Sequence, residues 1–108
     1  MTTTLPDSVA AYYAAERADD ADALSRCFAP DATVRDEGAT HHGRAEIAAW
    51  MAEAKHRYQH RTEILSATAK GDTVTVAVRI SGNFPNSPAQ ATQVFTLADG
   101  AIQTLAIA

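Results

Sequence analysis

From Pro6 onward the chain moves between a helical and a strand period. Val9, Tyr12, Tyr13 and Glu16 recur at helical spacing with alanines between them, which predicts a helix with one inward stripe. Pro6 fits its first turn, where a missing N–H costs nothing. Asp19, Asp20 and Asp22 interrupt the pattern, and one of them is expected to cap a second, short helix. That helix should run through Leu24, Cys27 and Phe28 and stop at Pro30. Residues 32–37 read as a strand, and the segment up to Gly43 as a polar loop. A third helix begins near Gly43 and carries Ile47, Trp50, Met51, Ala54 and Tyr58 on one face. This is the strongest helical signal in the chain.

After Tyr58 the period changes to two. Residues 63–69 read as a strand, and Lys70-Gly71-Asp72 as a turn. Residues 73–82 form a second strand, with Val74, Val76, Val78 and Ile80 on one face. Two prolines make residues 83–88 a loop, because proline cannot sit in a central ladder. Residues 89–97 are a third strand, Asp99-Gly100 a favoured hairpin turn, and residues 102–107 the last strand. Helices first and consecutive strands afterwards predict an α+β fold, with the helices on one face of the sheet.

Composition narrows the class. The chain has 108 residues, enough for one domain spanning 1–108 with a real core. A formal net charge of −4 gives no global pull towards nucleic acid or an anionic membrane surface. No apolar run approaches the ~20 residues of a membrane span. The N-terminus lacks a basic and then apolar block, so a cytoplasmic location is expected. The one cysteine, Cys27, excludes an internal disulfide and is read as a core residue. The spacing of His41, His42, His56 and His60 fits no standard zinc pattern, so no metal is expected. No phosphate-binding glycine loop or nucleophile elbow occurs, and nothing in the residues calls for a cofactor.

One carboxylate stands out. Asp36 alternates in phase with Val34, so it should point inward while Arg35 and Glu37 point out. An inward carboxylate is costly unless it is partnered or serves a site. Gln93 lies in phase with Ala91, Phe95 and Leu97, and Gln103 with Leu105 and Ile107. A carboxylate and amides on apolar walls describe a small polar cluster in an apolar cavity. Trp50 and Tyr58 follow the third helix's stripe and can line such a cavity. His42 or His41, just before that helix, can border it as an acid or base. Phe84 in the proline loop can cover its mouth.

The segments YYAA (12–15), DDAD (19–22), FAPDATVRD (28–36) and GRAEI (43–47) leading to Trp50, with the closing hairpins, resemble the SnoaL-like branch of the nuclear transport factor 2 fold. That superfamily also holds the ketosteroid isomerases. The resemblance covers essentially the whole chain. The loop GNFPNSP (82–88) is similar to one in a compact subgroup without a known reaction. The resemblance implies a cone-shaped, cystatin-like fold: three N-terminal helices on a curved, mainly antiparallel sheet enclosing a pocket. It also implies a homodimer through the sheet. On the isomerase pattern, Asp36 matches the proton-moving aspartate and Tyr12 the oxyanion-stabilising tyrosine, and these are the expected catalytic pair. The isomerase's late-strand carboxylic acid falls on Gln93, a weaker donor, which departs from efficient steroid isomerisation. Gln93, Trp50, Tyr58, His42, Phe84 and Gln103 are expected to contact the ligand, a small apolar molecule.

Three functions compete for this fold, because fold alone does not give function. The first is proton transfer or water addition on an apolar, cyclic or carbonyl-bearing substrate. The second is non-catalytic binding of a small ligand in the same cavity. The third is an interaction module built on the sheet. The enzyme reading leads, because an inward aspartate beside a tyrosine has a use in it.

Overall fold

Each helix ends where its sequence stops supporting it. The structure, a computed structural model, describes residues 5–108. Helix α1 (Asp7–Arg17) starts after Pro6 and buries Val9, Tyr12, Tyr13 and Glu16. Helix α2 (Ala21–Ser25) is capped by Asp20, whose carboxylate accepts from the Ala23 N–H at 3.0 Å. Helix α3 (Arg44–Tyr58) begins after Gly43 and ends at Gln59, a left-handed residue with φ 48°.

The sheet has six strands in the order β2-β1-β6-β5-β4-β3. In chain order they are β1 (Phe28–Asp36), β2 (Ala39–His42), β3 (Arg61–Lys70), β4 (Thr73–Ser81), β5 (Ala89–Ala98) and β6 (Ala101–Ile107). Every pairing is antiparallel except β1 with β6. The helices pack on this curved sheet, giving the α+β, cystatin-like architecture. One apolar cluster joins the layers, from Val9, Tyr12 and Tyr13 through Leu24, Phe28 and Ile47 to Val76, Phe95 and Leu105.

Three local expectations are corrected. Phe28 and Pro30 lie in β1, not at the end of α2. Proline is tolerated there because the β1–β6 register is broken between Phe28 and Thr33, so no continuous ladder needs its N–H. The stretch before Gly43, read as a loop, is the edge strand β2. It is closed onto β1 by a Glu37-Gly38 turn with φ 53° and 77°. Glutamate is a poor marker of such a turn, which hid the hairpin. In β6, Gln103 falls at a bulge: Ile102 pairs with Leu97 and Thr104 with Thr96. The extra residue changes the phase, and Ile102 rather than Gln103 is buried.

Gly82 marks where the proline loop docks. A Cβ there would stand 2.7 Å from the Tyr58 carbonyl oxygen and 2.9 Å from His60 Cα. Asn83 N–H donates to the same Tyr58 carbonyl at 2.7 Å. The loop is therefore held backbone to backbone against the end of α3, and the Phe84 ring meets Tyr58 edge-on at 5.9 Å.

Candidate functional site

A cavity of about 820 Å³ opens between α1, α3 and the concave side of the sheet. Its walls include Tyr12, Asp36, His41, Trp50, Met51, Tyr58, His60, Ile80, Phe84, Gln93 and Ile107. Of the residues singled out in the sequence, Tyr12, Asp36, Trp50, Tyr58, Phe84 and Gln93 all border it.

Two do not. Because β2 side chains alternate, Ala39 and His41 face the cavity and His42 faces solvent. His42 Nδ1 lies 3.3 Å from Thr33 Oγ1, outside the cavity. The His41 ring instead stacks beside Trp50, with centroids 5.9 Å apart. Gln103, displaced by the β6 bulge, donates to Asp31 Oδ1 at 3.2 Å on the surface.

Asp36 sits at the end of β1, half-buried. Its Oδ2 accepts from Trp50 Nε1 at 3.1 Å. A charge-assisted bond of this kind fixes the carboxylate's rotation. It leaves Oδ1 without a protein partner among the described residues.

Tyr12 is 2% exposed. Its ring packs edge-on against Tyr13, Phe28 and Phe95 at 5.1–5.9 Å. Its hydroxyl has no hydrogen-bond partner among the described residues and borders the cavity. Burial, reinforced by Tyr13, Glu16 and Asp36, raises its pKa well above the ordinary value of 10. The phenol therefore stays protonated and able to donate.

Gln93, 3% exposed, accepts from the Tyr13 hydroxyl at 2.5 Å through Oε1. Its Nε2 is left free of protein partners among the described residues. Asp36 thus reaches Trp50, where Tyr12 or Gln93 was the expected neighbour, and Gln93 is tied to Tyr13.

Below these groups lies an ion pair. Glu16 Oε2 meets Lys55 Nζ at 2.6 Å, with side chains only 3% and 12% exposed. Lys55 also donates to the His60 carbonyl at 2.7 Å. Glu16 Oε1 is buried and unpaired. The His60 ring borders the same cavity, and burial followed by the Lys55 charge lowers its pKa below the ordinary 6.5. The sequence held one signal for this group, a carboxylate on the apolar stripe of α1. Nothing in it pointed to Lys55 or His60.

Cys27 is half-buried against the core and its thiol pKa is raised by burial, so it is a poor nucleophile. Among the described residues, no cluster of His, Cys, Asp or Glu could hold a metal ion. No described helix is long and apolar enough to cross a membrane.

The SnoaL-like domain family matches residues 9–104. The chain belongs to that family. A protein from Sinorhizobium meliloti (SMa1630), named provisionally as a polyketide cyclase, is 45% identical. The match covers 96% of this chain and 95% of that one, with a TM-score of 0.93. A Catenulispora acidiphila DSM 44928 protein with a ketosteroid isomerase-like fold, solved with trimethylamine, is 27% identical over 97% of this chain and 86% of its own, with a TM-score of 0.85. A cystatin-fold protein from Novosphingobium aromaticivorans, 19% identical over 94% of this chain and 95% of its own, with a TM-score of 0.82, shares the fold. No curated protein matches the sequence.

Proposed function

We propose that this SnoaL-like protein moves a proton on a small apolar substrate that carries a carbonyl group, the step that isomerases and cyclases have in common. The observation that carries the reading is that the Asp36 carboxylate and the unpartnered Tyr12 hydroxyl open on one largely apolar cavity. Asp36 Oδ1 accepts a proton from the carbon beside the carbonyl. The electron pair of that C–H bond moves into an enolate. Tyr12, with Gln93 Nε2 as second donor, hydrogen-bonds the oxygen as its charge grows. The protonated Asp36 then returns the proton to the same carbon or to a conjugated one. Both donors are neutral, so they favour the enolate without holding a charged ground state.

The cyclase name of the Sinorhizobium relative supports this class of chemistry, because cyclisation by carbon–carbon bond formation also passes through an enolate. The trimethylamine in the Catenulispora relative supports the reading that such a chain admits a small organic molecule.

The test is hydrogen–deuterium exchange into a panel of cyclic ketones and β-dicarbonyl compounds in D₂O, followed by NMR. Exchange above the buffer rate that disappears in Asp36→Asn is expected. The asparagine is nearly isosteric and can still accept from Trp50 but cannot take the proton. Binding without exchange for every member of the panel would leave a non-catalytic binder.

A further inference from the structure

We propose that the ligand of this cavity is a cation: an apolar molecule bearing an amine or quaternary ammonium group, seated at the end formed by β2 and α3. The inference rests on the reading of the cavity as a ligand site and names what enters it.

The charges around the cavity are one-sided. Five carboxylates border it, those of Glu16, Asp36, Glu37, Glu46 and Glu53, against a single arginine, Arg57. Two are already neutralised, Glu16 by Lys55 and Glu53 by Arg57 at 2.9 Å. The remaining three come from the β1–β2 hairpin (Asp36 and Glu37) and from the first turn of α3 (Glu46). None of them forms a salt bridge among the described residues. Among the described residues, Glu46 accepts only the His42 backbone N–H, at 2.8 Å. An apolar concavity bordered by three carboxylates without a counter-ion carries a negative potential, which draws a cation.

The walls at this end suit a cation as well. Trp50, the aromatic ring best suited to attract a cation, stands there with His41 stacked beside it. Its Nε1–H is committed to Asp36, so the ring's edge is fixed, and Trp50 forms part of the wall. At the other end of α3 the cavity border already holds one cation over an aromatic ring: the Arg57 guanidinium lies 5.9 Å from the Tyr58 centroid. Independently of charge, Tyr12, only 2% exposed, borders the same cavity with its hydroxyl unpartnered among the described residues, and that hydroxyl asks for a polar atom on the ligand. A molecule with an oxygen at one end and an ammonium at the other satisfies both.

The experiment is calorimetric titration of the purified protein with choline and with its neutral isostere 3,3-dimethylbutan-1-ol, each at low and high salt. The cation is expected to bind about tenfold or more tightly than the isostere, with the advantage shrinking as salt rises. The exposed pair Glu37→Gln and Glu46→Gln, checked for folding by circular dichroism, should lose most of that preference and keep the isostere's affinity. Equal or tighter binding of the neutral isostere overturns the cation assignment and leaves the cavity as an apolar ligand site. Preference retained in the double variant overturns the placement of the cation beside Glu37 and Glu46, because those carboxylates would then be bystanders. Binding of neither probe at millimolar concentration overturns the assignment while the exchange test on ketones still decides the proton-transfer reading.

Discussion

Tyr13 donates its hydroxyl hydrogen to Gln93 Oε1 at 2.5 Å, and this contact sets which end of the amide faces the cavity. The two residues are far apart in sequence, one on α1 and one on β5. Tyr13 holds the acceptor end of the amide, so the donor end is left for the cavity, which Tyr12 also borders. Adjacent tyrosines on one helix thus divide the work. Tyr13 orients a donor, and Tyr12 is one.

That relationship gives a stability prediction. Gln93→Leu removes the acceptor and strands a buried hydroxyl, which costs about 1–3 kcal/mol. Tyr13→Phe with Gln93→Leu should cost less than the sum of the two single changes, because the pair is replaced together. Urea unfolding of the four proteins gives the coupling. Additive losses would show that the contact carries no energy.

In the proton-transfer reading, Tyr12→Phe should slow turnover by about a hundredfold or less. Gln93 Nε2 remains as a second donor to the oxyanion. The loss should appear in kcat more than in KM, because the oxygen is charged only in the transition state. A larger loss in Gln93→Leu alone would show that the amide, and not the phenol, is the principal donor.

Lys55→Met should destabilise the fold by about 3–5 kcal/mol, because it leaves Glu16 charged and unpaired in the interior. Combining it with Glu16→Gln should restore much of the loss. Midpoints of urea unfolding for the single and double variants check this. An unrestored double variant would mean that Lys55 matters chiefly through the His60 carbonyl, to which it also donates.

His60 makes stability depend on pH. Burial, and then the Lys55 charge, lower its folded pKa below 6.5, against the weaker opposing pull of Glu16 and Asp36. The unfolded chain takes up the proton first as pH falls. The stabilisation is therefore complete above about pH 6.5 and is lost as pH drops from there towards the folded value. His60→Gln should flatten the stability profile in that window. Thermal melts between pH 7.5 and 5 measure it, and an unchanged slope would reject the assignment.

Gly82→Ala should destabilise by about 1–3 kcal/mol, because its Cβ would press on backbone atoms that cannot rotate away. The proline loop and Tyr58 would have to separate. Loss of Phe84 from the cavity rim should follow, seen as weaker ligand binding in the folded variant.

The homodimer expected from the sequence is proposed to use the outer sheet face. There Leu65, the bulged residue of β3, is 40% exposed. Leu65→Asp should convert a dimer to monomers in sedimentation at micromolar concentration. A wild-type monomer at that concentration rules the proposal out.

The sequence by itself determined the elements and most of their faces. Period alone gave α1 and α3 their buried stripes and β4 its valine row, since these patterns report local geometry. The inward direction of Asp36 followed from Val34 in the same way. Alternation also carried Gln93 to the buried face. What depends on register or on distant partners was decided only by the tertiary structure. A single extra residue at the β6 bulge moved Gln103 off the cavity, and Ile102 took the inward place. The β2 edge strand formed because β1 offered it a partner, and its alternation chose His41 over His42. Glu16 with Lys55, Tyr13 with Gln93, and Asp36 with Trp50 are pairs between different elements. No local period encodes which helix face meets which strand, so these contacts, and the one-sided charge of the cavity they surround, exist only once the layers have packed.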